Sequence, residues 1–151
     1  MGFRGNFEYQ LDDRNRMALP PRFREDFAKG AVLTPGLEHC IEVYTLEGYE
    51  SASEVVNRIP AHTEQGRRLR RAFFGSSFDV QRDPQGRLLI PPKLIQFAGI
   101  TKDVVVVGAD KHLEIWEKGA WDSQEDELQS VRADAMEGLP ETDDARSGGA
   151  D

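Results

Sequence analysis

One motif occurs twice in this chain at a fixed spacing, so any fold it adopts must give both copies equivalent surroundings. The later copy is Asp83-Pro84-Gln85-Gly86-Arg87-Leu88-Leu89-Ile90-Pro91-Pro92-Lys93, and the earlier is Asp12-Asp13-Arg14-Asn15-Arg16-Met17-Ala18-Leu19-Pro20-Pro21-Arg22. Asp12 matches Asp83, Arg16 matches Arg87, Pro20-Pro21 matches Pro91-Pro92 and Arg22 matches Lys93, all at an offset of 71 (83 − 12). Asn15 matches Gly86, and these two residue types adopt positive φ most readily. Such an exchange preserves a backbone shape rather than a composition. The motif reads as a tight turn carrying an acid and a base, followed by a short strand and a helix opened by proline.

The repeat extends beyond the motif. Phe7-Glu8 aligns with Phe78-Asp79 ahead of the turn. Further on, Gly36 aligns with Gly108, Glu42 with Glu114, Val43 with Ile115, Tyr44 with Trp116 and Tyr49 with Trp121, now at an offset of 72 (114 − 42). Two copies are too few for a solenoid. Two halves facing each other about a pseudo-two-fold axis are expected instead.

Each half reads as strand, turn, strand, helix, strand, loop, strand, an α+β pattern. In the first, Phe7, Tyr9 and Leu11 alternate with polar residues as in a half-buried strand. Met17–Leu19 is the return strand, and a helix is expected from Pro20 to Lys29 with Phe23 and Phe27 on one face. Ala31–Thr34 and Cys40–Tyr44 are strands. In the second half, Phe78–Gln81, Leu88–Ile90, a helix over 91–98, Val104–Val107 and Leu113–Trp116 follow the same order. The expected organisation is a first repeat over 1–49, a helical connector over 50–75, a second repeat over 76–121, a C-terminal helix over 122–136 and a disordered acidic tail over 137–151. Arg67, Arg68, Arg70 and Arg71 in the connector fit either a solvated helix face paired with Glu64 or a patch that meets phosphate or a neighbouring subunit.

The net charge of −8 at first argues against nucleic acid. Its distribution reverses that inference. From residue 122 onward, 10 acidic residues face 2 basic ones, which leaves 17 basic (19 − 2) and 17 acidic (27 − 10) residues in 1–121. A neutral body leaves room for a basic face. The single cysteine, Cys40, excludes an intramolecular disulfide. The N-terminus lacks an apolar signal-like core and the longest apolar run, Val104–Val107, is too short to span a bilayer. A soluble, cytoplasmic protein is expected.

The paired D-x-x-x-R turns, each followed by a short apolar strand and a proline-initiated helix, resemble the MraZ family, within the wider AbrB-like group. Phe3-Arg4-Gly5 at the start and Gly108 ahead of Glu114-Ile115-Trp116 are similar to that family in particular. The likeness covers residues 1 to about 135. It implies an AbrB-like barrel built from two interleaved halves, with linking and C-terminal helices. It also implies a sequence-specific transcriptional regulator, usually a repressor, of the division and cell-wall gene cluster. Such a protein binds direct repeats in promoter DNA as a ring-like homo-oligomer and associates with the nucleoid. Asn15, where glycine is common, and the extra charge of Asp13 are departures in the first turn.

On that reading Arg16 and Arg87 present planar guanidinium forks to phosphate oxygens or guanine edges. Asp12 and Asp83 hold those forks or cap the turn backbone, together with Asn15 and Gly86. The bland alternative is that each pair only stabilises its hairpin. Arg14 inside the first turn and Arg82 before the second are further DNA candidates. Arg22 and Lys93 occupy helix N-termini, where the dipole disfavours a cation; phosphate contact or simple solvation explains them.

Catalysis finds little support. No nucleotide-binding or nucleophile-elbow motif is present. An arginine in each turn would keep Asp12 and Asp83 ionised, unsuited to sharing a proton. His39, His62 and His112 have no metal-ligand spacing with Cys40 or each other. No metal, cofactor, membrane or small-molecule substrate is therefore expected. The remaining alternative is an oligomeric scaffold without DNA affinity.

Overall fold

The computed structural model describes residues 2–139. The described residues fall into two compact units that part between Lys118 and Gly119.

In the first unit, β1 (Asn6–Gln10) and β2 (Arg16–Ala18) flank the first turn, and β3 (Ala31–Pro35) and β4 (Ile41–Thr45) complete the first half. The second half repeats this with β5 (Phe78–Val80), β6 (Arg87–Leu89), β7 (Asp103–Gly108) and β8 (Leu113–Glu117). The halves interleave. Six antiparallel strands run in the order β1-β7-β8-β4-β3-β5, so the first strand of each half pairs with the third strand of the other. The remaining two, β2 and β6, form a separate antiparallel ribbon.

The register locates the pseudo-two-fold axis. Glu42 lies opposite Glu114 and Met17 opposite Leu88, and each pair joins residues that the repeat makes equivalent. It also corrects one detail of the alignment. Leu33 pairs with Val43, and Val106 with Ile115, so β3 and β7 correspond at an offset of 73 (106 − 33). Pro35 rather than Gly36 is then the counterpart of Gly108. The insertion is two residues before the strand, and one is lost in the loop after it.

Alternation along the strands sends one face of the sheet and one face of the ribbon into a shared core. Met17, Leu19, Leu33, Ile41 and Val43 of the first half meet Leu88, Ile90, Val104, Val106, Leu113 and Ile115 of the second, all fully buried. Full burial of such a side chain contributes about 1.5–3 kcal/mol. Neither half can therefore close its core alone.

The helix expected over 20–29 is instead two successive 3-10 turns, Pro21–Phe23 and Glu25–Phe27. Their amides bond three residues back, Phe23 to Pro20 and Phe27 to Arg24. The tighter winding delivers both phenyl rings to one aromatic cluster, with Phe3 edge-on to Phe23 at 5.1 Å and stacked on Phe27 at 5.5 Å. In the second half these positions are Leu94 and Ala98, smaller side chains, and a regular α-helix forms from Pro92 to Phe97.

The connector folds as α1 (Leu46–Asn57) and α2 (Glu64–Phe74); the second-half helix Pro92–Phe97 is α3. Thr45 and Thr63 cap α1 and α2, accepting from the amides of Gly48 and Gly66 at 3.0 Å. Such caps contribute about 1 kcal/mol each. Tyr49 of α1 stacks on Phe73 of α2 at 5.5 Å and donates to Ser77, whose hydroxyl in turn donates to Thr34 of β3. The connector is thereby tied to the sheet.

The helix expected over 122–136 runs further, as α4 (Lys118–Gly138), so Glu137 and Gly138 are helical rather than part of a tail. The rest of that tail, 140–151, lies outside the described residues. Within the second unit Leu128 and Val131 are exposed. Among the described residues no helix is long and apolar enough to cross a membrane.

Candidate nucleic-acid interface

The two turns are built by the same bonds. In the first, one oxygen of Asp12 accepts from the amides of Arg14 (2.8 Å) and Arg16 (2.9 Å), and the other accepts from Arg16 Nε at 3.0 Å. In the second, Asp83 accepts from the amides of Gln85 (3.0 Å) and Arg87 (2.8 Å) and from Arg87 Nε at 2.7 Å. Backbone bonds from Asp12 to Arg16 and from Asp83 to Arg87 close both loops. Asn15 (φ 60°) and Gly86 (φ 77°) take the left-handed position between acid and base. Asparagine and glycine are the residues that do so at least cost.

Each turn also leans on the other. The carbonyl of Asn15 accepts from the amide of Ile90, and that of Gly86 accepts from the amide of Leu19. Ile90 and Leu19 are themselves repeat equivalents. Between the turns, Met17 and Leu88 point into the core, so Arg16, Ala18, Arg87 and Leu89 form the outward face of the ribbon. Arg16 and Arg87 are thus neighbours on one surface. Arg87 Nη1 approaches the same Asp12 oxygen that holds Arg16, at 3.7 Å. Their side chains keep 28% and 30% of their surface exposed, so both forks are positioned yet reachable.

These bonds set the charge state of the turns. The amide of Arg16, against some desolvation, holds the Asp12 carboxyl below its ordinary value. At Asp83 desolvation pushes upward, and the amide and guanidinium of Arg87 more than reverse it. Both turns carry an ionised acid and a cation at neutral pH.

The other candidates are less uniform. Arg14 is exposed, and among the described residues its guanidinium makes no hydrogen bond or ion pair. Arg82 is as exposed as Arg16, at 28%, and stands 3.9 Å from Glu25. Arg22 is exposed with its guanidinium carbon 5.6 Å from the Phe7 ring centre, a cation–π contact. It lies in a 3-10 turn, so the helix-dipole argument fails there; it keeps its force only for Lys93, exposed near the start of α3. In the connector Arg68 pairs with Glu64 at 3.7 Å, Arg67 donates to the carbonyl of His62, and Arg70 donates to that of Gly66.

Arg24 was not singled out in the sequence. It donates to the carbonyl of Leu19 at 3.2 Å and lies against Gly86, where an added Cβ would stand only 2.5 Å from its Cδ. A signal existed: Arg24 occupies the position that the second copy fills with Ile95, a cation breaking the symmetry of the repeat (95 − 24 = 71).

The sequence profile of the MraZ family, described as "MraZ protein", matches residues 2–72 and again residues 73–139. A protein of Dehalococcoides mccartyi strain BAV1 named "Transcriptional regulator MraZ" is 39% identical over 140 residues, covering 92% of this chain and 99% of its own length. A protein of the same name from strain 195 is 41% identical over 123 residues, 81% of this chain and 87% of its own. That name is one of a regulator and not of an enzyme. The paired turns, the AbrB-like interleaving of the two halves and these matches along nearly the whole chain make the protein a member of the MraZ family.

Proposed function

We propose that the protein is a transcriptional regulator that grips double-stranded promoter DNA with its two turns. The observation that carries this reading is the placement of Arg16 and Arg87 on one outward face, each guanidinium held by an acid of its own turn. A held fork loses less entropy when it meets a phosphate or a guanine edge. Arg14 and Arg24 extend the basic surface at the first and second turn, and Arg22 and Lys93 are candidates for flanking phosphates. Asp12, Asn15, Asp83 and Gly86 shape the turns rather than touch DNA.

One pair of turns offers few contacts. Assembly into a ring-like homo-oligomer sets several pairs against successive direct repeats and multiplies a weak grip through effective concentration. Repression of the division and cell-wall gene cluster, a cytoplasmic and nucleoid-associated location, and repeat units over 1–49 and 76–121 joined by 50–75 belong to the same reading. It is supported by the family resemblance and by the name the relatives carry.

A gel shift on the upstream region of the protein's own gene, at low and high salt, tests it. Binding should appear with direct-repeat spacing and fall steeply as salt rises. Arg16→Ala with Arg87→Ala should weaken it by roughly 100-fold or more, at about 1–3 kcal/mol per lost fork, with the oligomer intact by sedimentation. Equal binding by the double variant removes the turns as the interface; an oligomer that shifts no DNA supports a scaffold.

A further inference from the structure

A second constellation lies on the outer face of the six-stranded sheet, on the strands next to the pseudo-two-fold axis. Glu42 of β4 and Glu114 of β8 are direct cross-strand partners. Like charges so placed destabilise a ladder unless a cation lies between them. His112 Nε2 stands 3.3 Å from one Glu114 oxygen and 3.8 Å from one Glu42 oxygen. The three donor atoms lie within 4.8 Å of one another, on side chains only 18–21% exposed.

The remaining oxygens are already engaged. The Tyr44 hydroxyl donates to Glu42 Oε1 and Trp116 Nε1 donates to Glu114 Oε1, both at 2.9 Å. These bonds fix the rotation of each carboxylate and turn its Oε2 toward the imidazole. Metal ligands are oriented by outer hydrogen bonds of this kind. Gly36 packs closely beside the pair: a Cβ on it would clash with Cys40 Sγ at 2.7 Å and stand 3.4 Å from Glu42 Oε2, so the position has no room for a side chain next to the acid.

We propose that Glu42, His112 and Glu114 bind one divalent first-row transition ion, with Zn²⁺ the best match. Donors about 2.1 Å from a tetrahedral ion stand about 3.4 Å from one another, so the two separations from His112, 3.3 and 3.8 Å, need only a few tenths of an ångström, and the two carboxylates, which lie within 4.8 Å of each other, close in on the ion as it enters. A mixed nitrogen and oxygen set favours such an ion over Mg²⁺, which takes oxygen alone. The two carboxylates neutralise its charge, and water completes the shell. Glu42 comes from the first half and the other two ligands from the second, so the ion braces the seam between the repeats. The assignment does not depend on DNA binding.

The test uses the full chain, stripped with a chelator and titrated with ZnCl₂, MnCl₂ or MgCl₂ by calorimetry and thermal melting. One Zn²⁺ should bind per chain, raising Tm by about 5 °C at a hundredfold excess over Kd, with no response to Mg²⁺. His112→Gln and Glu42→Gln should each weaken binding by about tenfold or more. His39→Gln with His62→Gln, which alters the two exposed histidines, should leave it unchanged. If the site variants fail to fold, Co²⁺ on the parent chain reports instead: the strong visible absorption of a four-coordinate ion, without a thiolate charge-transfer band, is expected. Absence of saturable Zn²⁺ binding overturns the proposal. So does Zn²⁺ binding that survives both site variants or disappears with His39 and His62, and so does a Co²⁺ spectrum like that of the hydrated ion.

Discussion

The two halves of the molecule agree in the bonds that build their turns and differ in what packs around them. Both turns fold on the same acid, the same two amides and the same guanidinium, and both lend a carbonyl to the strand leaving the other turn. Outside those bonds they diverge. The first turn exposes Asn15 beside Asp13 and Arg14, whereas the second buries Gly86 beneath Arg24 and has Pro84 and Gln85 in the corresponding places. Behind them, Phe23 and Phe27 require tight 3-10 turns and the packing of Phe3, while Leu94 and Ala98 permit a regular helix. The duplicated chain has kept the acid, the base and the backbone bonds of each turn and varied what surrounds them.

The largest effect should come from the seam. Met17→Ala and Leu88→Ala, the facing pair at the centre of the ribbon, should each cost about 3 kcal/mol in chemical denaturation, and the double variant should depart from additivity because the two sites share one space. Additive losses would mean that the ribbon tolerates a gap on either side independently.

The left-handed positions come next. Gly86→Ala should cost about 2 kcal/mol, since alanine resists positive φ and the new methyl meets Arg24. Asn15→Ala should cost about 1 kcal/mol, with nothing beyond the backbone strain. Equal losses at the two sites would remove the asymmetry assigned to Arg24.

A smaller and more selective difference is expected between the acids. Asp12 meets both Arg16 and Arg87, whereas Asp83 meets Arg87 alone. In NMR spectra Asp12→Asn should shift the signals of both arginines, and Asp83→Asn chiefly those of Arg87. Confinement of the Asp12 effect to its own turn would show that the cross-contact contributes nothing.

The mildest perturbation is acid. Both carboxyls are held below their ordinary value of 3.8. Their contribution to stability is therefore complete above that value and lost as pH falls through the lower folded-state values. Amide signals of Arg14, Arg16, Gln85 and Arg87 should titrate with midpoints under 3.8; a midpoint at or above it would break the account of the turns.

Much of this molecule was legible in its residues. Alternation marked the strands, and the proline pairs marked where each chain turns from strand to helical winding. Equivalence of Arg16 and Arg87 marked both as candidates, and the pairing of β2 with β6 put them on a common surface. The winding after Pro20 was misread because the i, i+4 spacing of Phe23 and Phe27 fits an α-helix equally well, and only their packing on Phe3 selects the tighter form. Arg24 was passed over because its partner, Gly86, lies 62 residues away (86 − 24). The exclusion of a metal site rested on ligand spacing along the chain. Spacing cannot reveal a histidine and a glutamate of one half meeting a glutamate of the other.

What the sequence determined alone is local: two turns in which an acid reaches a base four residues on and one residue must accept positive φ. Those interactions span a few bonds, so residue identity dictates them. Which strand lies beside which was decided only in three dimensions. Ladder bonds join backbone groups that every residue shares, and the choice of partner falls to the pairing that seals one core from two incomplete halves.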